Sequence, residues 1–359
     1  STIIPFVLAD TVCAILLYIT AHIYVRHSEG TNVEAKPGVG RTDAAEAPRE
    51  PSSIPSICAL TYLLNPYTIM ACVGASWSSF EACAVLLALC GAASRNPPLA
   101  AFGVAAAAYL SLFPVLLAVP VAIALCNGLD REPRPQDSKP AGFRRVRRWA
   151  VLAVFSINVM LWLTFLHLLS NVALRGFEAP QAWISEVYIF LLTVPDLIPN
   201  IGLYWYLFIE LFDFFRPLFL AAFLSQPLIA LAPLCIRLYH RPLFVAVVVV
   251  MLVAIFKPYP SVADIALYLS LLPMFAQQLA RMRLGVLAVT GFVASSVLGP
   301  VFWYLWIITG VANSNFYYAT TLVLAVAQAV LLIDVLSATI KFDHKSTSSE
   351  TRKGHKASQ

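Results

Sequence analysis

Three carboxylates, Asp196, Glu210 and Asp213, fall inside the stretch VPDLIPNIGLYWYLFIELFDFF at residues 194–215, between strongly apolar runs. A carboxylate can act as a general base or hold a metal, and at the centre of a bilayer-spanning helix it costs about 3 kcal/mol on insertion scales. These three must therefore face protein, water or a polar headgroup. Glu210 and Asp213 make an ExxD pair on a helix, and there is no DxD or similar acidic cluster. His22, His27, His167, His240, His344 and His355 show no HExxH or paired spacing, and no GxSxG, Walker or GxGxxG pattern occurs. Seven cysteines form no CxxC pair and mostly lie in apolar runs, where they behave as small buried hydrophobes; neither a zinc site nor a disulfide frame is indicated. Asp10, His22 and His167 read as packing residues. The chain thus offers no catalytic residue, no metal site and no cofactor motif.

Two more polar interruptions stand out. Phe256-Lys257-Pro258-Tyr259-Pro260-Ser261, followed by Asp264, is a Pro-rich turn whose Lys257 can pair with Asp264 or with a phosphate. Asn313-Ser314-Asn315-Phe316 is an amide-rich turn able to hydrogen-bond a polar headgroup. Pro195 and Pro199 each disfavour helix at the preceding residue and remove a donor. They predict a break over 195–200 and a helix restarting at Ile201. Helical spacing then puts Tyr204, Phe208, Leu211, Phe212 and Phe215 on one face, with Tyr206, Glu210 and Asp213 opposite. That pattern fits an amphipathic helix at the membrane interface, and equally one wall of a lipid groove.

The elements that hold these residues are apolar throughout. Hydrophobic residues make up 60% of the chain, charged residues 12%, and the mean hydropathy is +0.78. Such values place it among polytopic membrane proteins. We expect an all-α chain of roughly ten transmembrane or half-membrane helices. The net charge of +5 is no nucleic-acid signature, because the basic residues sit in loops between apolar spans. Composition predicts a flexible cytoplasmic loop over 26–55, a basic cytoplasmic loop over 127–148 and a basic cytoplasmic tail over 341–359, all within one helical membrane domain. From the basic loop, alternate crossings put the break at 195–200, Lys257 and Asn313 on the far, luminal side. Residues 57–126 fit two crossings, or four short or kinked ones. The chain opens at Ser1 with a span already under way, which leads us to expect an earlier segment.

Four blocks carry a family resemblance: Tyr62 to Ile69 (YLLNPYTI), Val194 to Tyr206 (VPDLIPNIGLYWY), Ala254 to Tyr268 (AIFKPYPSVADIALY) and Ala312 to Ala319 (ANSNFYYA). In this order they are similar to the PIG-U family, the polytopic subunit of the glycosylphosphatidylinositol (GPI) transamidase. The resemblance implies a non-catalytic, multi-pass subunit of the endoplasmic reticulum membrane, with a layout like that of GT-C glycosyltransferases. It implies partners as well: the caspase-like catalytic subunit PIG-K, PIG-T, GPAA1, PIG-S and the GPI lipid. Phe208-Ile209-Glu210-Leu211-Phe212 matches the family segment linked to acyl-chain recognition. Asp196, Lys257, Asn313, Asn315 and Phe316 of the polar interruptions complete the candidate lipid-binding residues, beside Phe208, Glu210 and Phe212. A GT-C mannosyltransferase is the rival enzyme reading, and a transporter a third, for which no internal repeat speaks.

Overall fold

The computed structural model describes residues 3–34, 52–130, 141–176 and 182–357. Among them every regular element is helical, as expected for an all-α polytopic chain. In chain order the elements are α1 (Ile4–Glu34), α2 (Ile54–Leu63), α3 (Pro66–Val73), α4 (Ser78–Ala93), α5 (Pro97–Leu110), α6 (Ala118–Asn127), α7 (Ala141–Ala173), α8 (Ala182–Thr193), α9 (Tyr204–Glu210), α10 (Asp213–Arg237), α11 (Pro242–Phe256), α12 (Val262–Leu279), α13 (Gly285–Ile308) and α14 (Ser314–Ala357). Six helices are long and apolar enough to cross a membrane, and the bent pair α2–α3, angled by 43°, makes a seventh. Five shorter apolar helices, including α8 and α11, and the seven-residue α9 make up the rest. Residues 57–126 therefore form the short, kinked series of segments.

The core is organised on α11. Its sequence, PLFVAVVVVMLVAIF, is apolar all round, and such a helix must be enclosed on every side. Every residue from Pro242 to Ile255 is buried. Fifteen residues rise about 22 Å, so Arg241 and Lys257 mark opposite ends of the bundle. Hydrophobicity gives little drive for helix pairing in lipid, and close backbone packing takes its place. A Cβ on Gly91 would lie 2.3 Å from the Ala100 nitrogen, and one on Gly103 would lie 2.2 Å from the Ala88 nitrogen, so α4 and α5 touch backbone to backbone.

Loop boundaries expected from composition shift. Helix α1 runs on through Glu34, so the first part of the 26–55 loop is helical; extending an existing helix avoids the cost of nucleation. Residues 35–51 lie outside the described residues. The basic loop shortens likewise, because α7 starts at Ala141 directly after Pro140 and carries Arg144 to Arg148 as helix. Its remaining part, 131–140, also lies outside the described residues. The tail is not separate: α14 continues unbroken from Ser314 to Ala357.

Candidate functional site

The break is real and longer than the prolines alone predict. Helix α8 contains a π-helical turn at Ser185–Ile189 and stops at Val194, a left-handed residue with φ 46° and ψ 56°. Helix returns only at Tyr204, not at Ile201. The polar side chains of the break explain the delay. Asp196 Oδ1 accepts from the Ile198 N–H at 3.1 Å, and Asn200 Oδ1 accepts from the Gly202 N–H at 2.7 Å. Each is a local turn that competes with helix.

Buried irregular backbone must have its carbonyls satisfied within the protein. Here side chains from other elements do so. The Tyr259 hydroxyl donates to the Asp196 carbonyl at 2.8 Å and Tyr318 to the Leu203 carbonyl at 3.1 Å, while Tyr204, where the break ends, donates outward to the Phe256 carbonyl of α11 at 2.9 Å. The Arg216 guanidinium donates to the Val194 carbonyl and lies 5.8 Å from the Phe208 ring centroid. A left-handed β-branched residue is strained. Val194 is held in that state by its buried side chain, packed with Tyr204 and Phe208, and by Arg216 on its carbonyl.

The predicted helical face over 204–215 is corrected. Helix α9 ends at Glu210, and Leu211 and Phe212 are extended with ψ 134° and 135° as the chain turns into α10. Phe208 and Phe212 therefore do not share a face: Phe208 is 3% exposed and Phe212 is 79% exposed. Glu210 and Asp213 are exposed, and Asp196 is half-buried.

Lys257 does pair with Asp264, and a second carboxylate joins them. Its Nζ lies 2.8 Å from Glu81 Oε2 and 3.3 Å from Asp264 Oδ1. Lys257 is buried, and the carboxylates are nearly so. Burial alone would lower the lysine pKa, but Asp264 and Glu81 outweigh it and hold the ammonium above the usual lysine range. Asp264 also completes a capping box with Ser261 at the start of α12. A cavity of about 20 Å³, room for one water, opens beside the two carboxylates and is otherwise lined by aliphatic groups such as Val250 and Leu267.

The Asn313 turn meets the same end. Helix α13 closes in a π-helical turn at Tyr304–Ile308, and such turns gather at functional sites. Asn313 Oδ1 accepts from the Asn315 N–H at 3.1 Å, and Asn315 Oδ1 accepts from the Tyr206 hydroxyl. Asn313, Asn315 and Phe316 are exposed. Beneath them Trp205 is buried and stacked on Trp306 at 6.1 Å, and its indole N–H has no partner among the described residues. Asn315 is thus joined to α9, and Tyr318 to the break; Lys257 neighbours the break through Phe256 and Tyr259. Sequence reasoning missed Arg216, Glu81 and the three tyrosine hydroxyls. A lone arginine in the apolar run FDFFRPLF was the one available signal.

The sequence has counterparts. A family model described as GPI transamidase subunit PIG-U matches residues 1–324. The chain belongs to the PIG-U family. It is 37% identical over 308 residues to the Homo sapiens GPI-anchor transamidase component PIGU, covering 84% of this chain and 67% of that protein. To the Saccharomyces cerevisiae GPI transamidase component GAB1 it is 30% identical over 288 residues, covering 79% and 67%. A Schizosaccharomyces pombe GAB1 homolog is 43% identical over 148 residues, 41% of this chain and 36% of that one. This PIG-U family chain thus aligns with about two thirds of the length of the human and budding-yeast proteins. All three names point to the transamidase and away from a glycosyltransferase.

Proposed function

We propose that this chain is a membrane subunit of a GPI transamidase in the endoplasmic reticulum, and that it holds and positions the GPI lipid without making or breaking bonds. The match to the PIG-U family over residues 1–324 carries this reading. In it, PIG-K supplies the nucleophile, and PIG-T, GPAA1 and PIG-S are neighbours in the complex. The end of the bundle holding the break and the Asn313 turn faces the lumen. Asn313 and Asn315 meet the GPI headgroup there, with Glu210 at the rim. Exposed Phe316 and Phe212 contact acyl chains. Phe208, Lys257 and Asp196, which are engaged within the protein, support that surface from behind. The buried indole N–H of Trp205, without a partner among the described residues, lies directly beneath this surface.

Such a surface speeds transamidation by orientation alone. Holding the ethanolamine amine beside a partner's acyl-enzyme replaces a bimolecular encounter with a local one, and well-oriented pairs gain effective concentrations of about 10⁵ M or more. Purification of the full chain in mild detergent, with mass spectrometry of bound proteins and lipids, tests the assignment. Recovery of a caspase-like subunit together with GPI is expected; recovery of a dolichol-linked sugar and no such subunit would overturn it. Asn313→Ala with Asn315→Ala should lower anchor attachment while the complex stays assembled. Loss of assembly would instead make the two amides scaffold residues.

A further inference from the structure

The two ends of the bundle differ in what they do with their charges. At the Arg241 end, three carboxylates, Asp130, Asp334 and Asp343, are turned inward. Asp130 accepts from the Leu243 and Phe244 N–H groups at 2.9 and 3.3 Å and caps α11 from another element. Asp334 does the same for α13, accepting from the Arg283 and Leu284 N–H groups at 3.1 and 2.7 Å. Asp343 is taken by Arg241 at 2.8 Å and His240 at 2.9 Å. All three carboxylates are buried.

Apart from Arg241, a group of cations at this end points the other way. Arg26, Arg148, Arg237, Arg283, Lys341 and Lys345 are exposed, and they come from five helices or their adjoining turns. Their common location follows from contacts. Tyr24, two residues before Arg26, reaches Asp130; the Arg148 carbonyl accepts from Cys126; Arg237 ends the helix before His240; and Arg281, near Arg283, donates to the Lys341 carbonyl. Exposed Trp149 and Tyr239 flank this ring, as aromatic residues do at a membrane surface. At the opposite end, among the described residues, Glu186, Glu210 and Asp213 are exposed while Lys257 and Arg216 are held internally, and Arg175 is an exposed cation.

We propose that the basic end is a binding ring for anionic phospholipid headgroups of the adjoining leaflet. Burying these three carboxylates as helix caps and ion-pair partners removes three local anions that would otherwise neutralise the cations. A ring at headgroup depth, at the ends of membrane-spanning helices and beside aromatic anchors, selects a lipid phosphate over a soluble anion. The inference stands apart from the transamidase reading, since it uses neither the break nor the Asn313 turn.

The test uses the full chain in nanodiscs of phosphatidylcholine with a minor share of phosphatidylinositol, measuring how strongly each spin-labelled lipid associates with the protein. Phosphatidylinositol should be preferred at about 0.15 M salt, and the preference should collapse near 1 M as screening shortens. A membrane-surface cation changes affinity by about fivefold, so Arg237→Gln/Arg283→Gln/Lys341→Gln should reduce the preference by about tenfold or more. Arg26→Gln/Lys345→Gln gives a second, independent variant, and Glu186→Gln/Asp213→Asn, at the opposite end, should leave the preference unchanged. Equal association of the two lipids, or a preference unmoved in both basic-end variants, overturns the proposal. So does loss of the preference to inorganic phosphate at matched ionic strength, which would mark a free-anion pocket, or to an acidic peptide, which would mark a protein surface.

Discussion

Lys257→Met should be among the most damaging single changes in this chain. The lysine nitrogen sits 2.8 Å from a Glu81 oxygen and 3.3 Å from an Asp264 oxygen, so those oxygens are at most about 6 Å apart. Without the ammonium, two buried carboxylates face each other across that gap. At an effective dielectric of about 20 their repulsion is about 3 kcal/mol, in line with the roughly 3–5 kcal/mol typical of removing one partner from a buried ion pair. One carboxyl will take up a proton to escape it, which sets that figure as the scale of the loss. Glu81→Gln is the informative contrast. It leaves a neutral Lys257–Asp264 pair and should cost only about 1 kcal/mol, the value of one ordinary hydrogen bond. Lys257→Met/Glu81→Gln, with one carboxylate left and no repulsion, should recover a large part of the single-variant loss. Asp264→Ala should cost about 1 kcal/mol more than Glu81→Gln, because it also removes the acceptor that completes the α12 capping box. Denaturant titration of the purified chain, followed by tryptophan fluorescence, would read these differences. A Lys257→Met variant within about 1 kcal/mol of wild type, or a double variant no better than it, would refute the reasoning.

Two further changes probe other joints. Burial pushes the Asp130 carboxyl up to about 6 despite Arg241 and two N–H donors, so the folded state keeps its proton to higher pH than the unfolded chain. That contribution is complete below about pH 4 and is lost as pH rises through about 6, on the order of 3 kcal/mol; Asp130→Asn should flatten this part of the stability–pH curve, and an unchanged slope would reject the assignment. Arg216→Gln removes a charge-assisted hydrogen bond from the buried Val194 carbonyl, worth about 1.5–3 kcal/mol. Its effect should be local, seen as faster hydrogen exchange over residues 194–204 with little change in the unfolding midpoint. Exchange rates equal to wild type there would mean that the strained turn is held by packing alone.

How far the site could be read in the chain differs from residue to residue. Pro195 and Pro199 announced a break because their effect is local: a missing N–H and a clash with the preceding residue. The length of that break was harder to see, since it depends on Asp196 and Asn200 spending their side chains on their own backbone. Phe208 and Phe212 kept helical spacing on paper, but the chain leaves the helix after Glu210 and sends one ring inward and the other outward. Asn313 and Asn315 were legible as a polar turn, whereas the link from Asn315 to Tyr206 spans 109 positions and has no local trace.

What the sequence determined on its own is what depends on composition and short-range sterics. An apolar content of 60% requires a membrane bundle, α11 announces burial by having no polar face, and four ordered blocks identify the family. The tertiary structure decided which charges meet. Glu81 is 176 residues from Lys257, and Asp130 caps a helix that begins 112 residues later. A charge at membrane depth must find a partner, but any of several in the chain would serve. Only the packing of α4 and α12 around α11 brings Glu81 and Asp264 to Lys257, and so fixes the geometry behind the site.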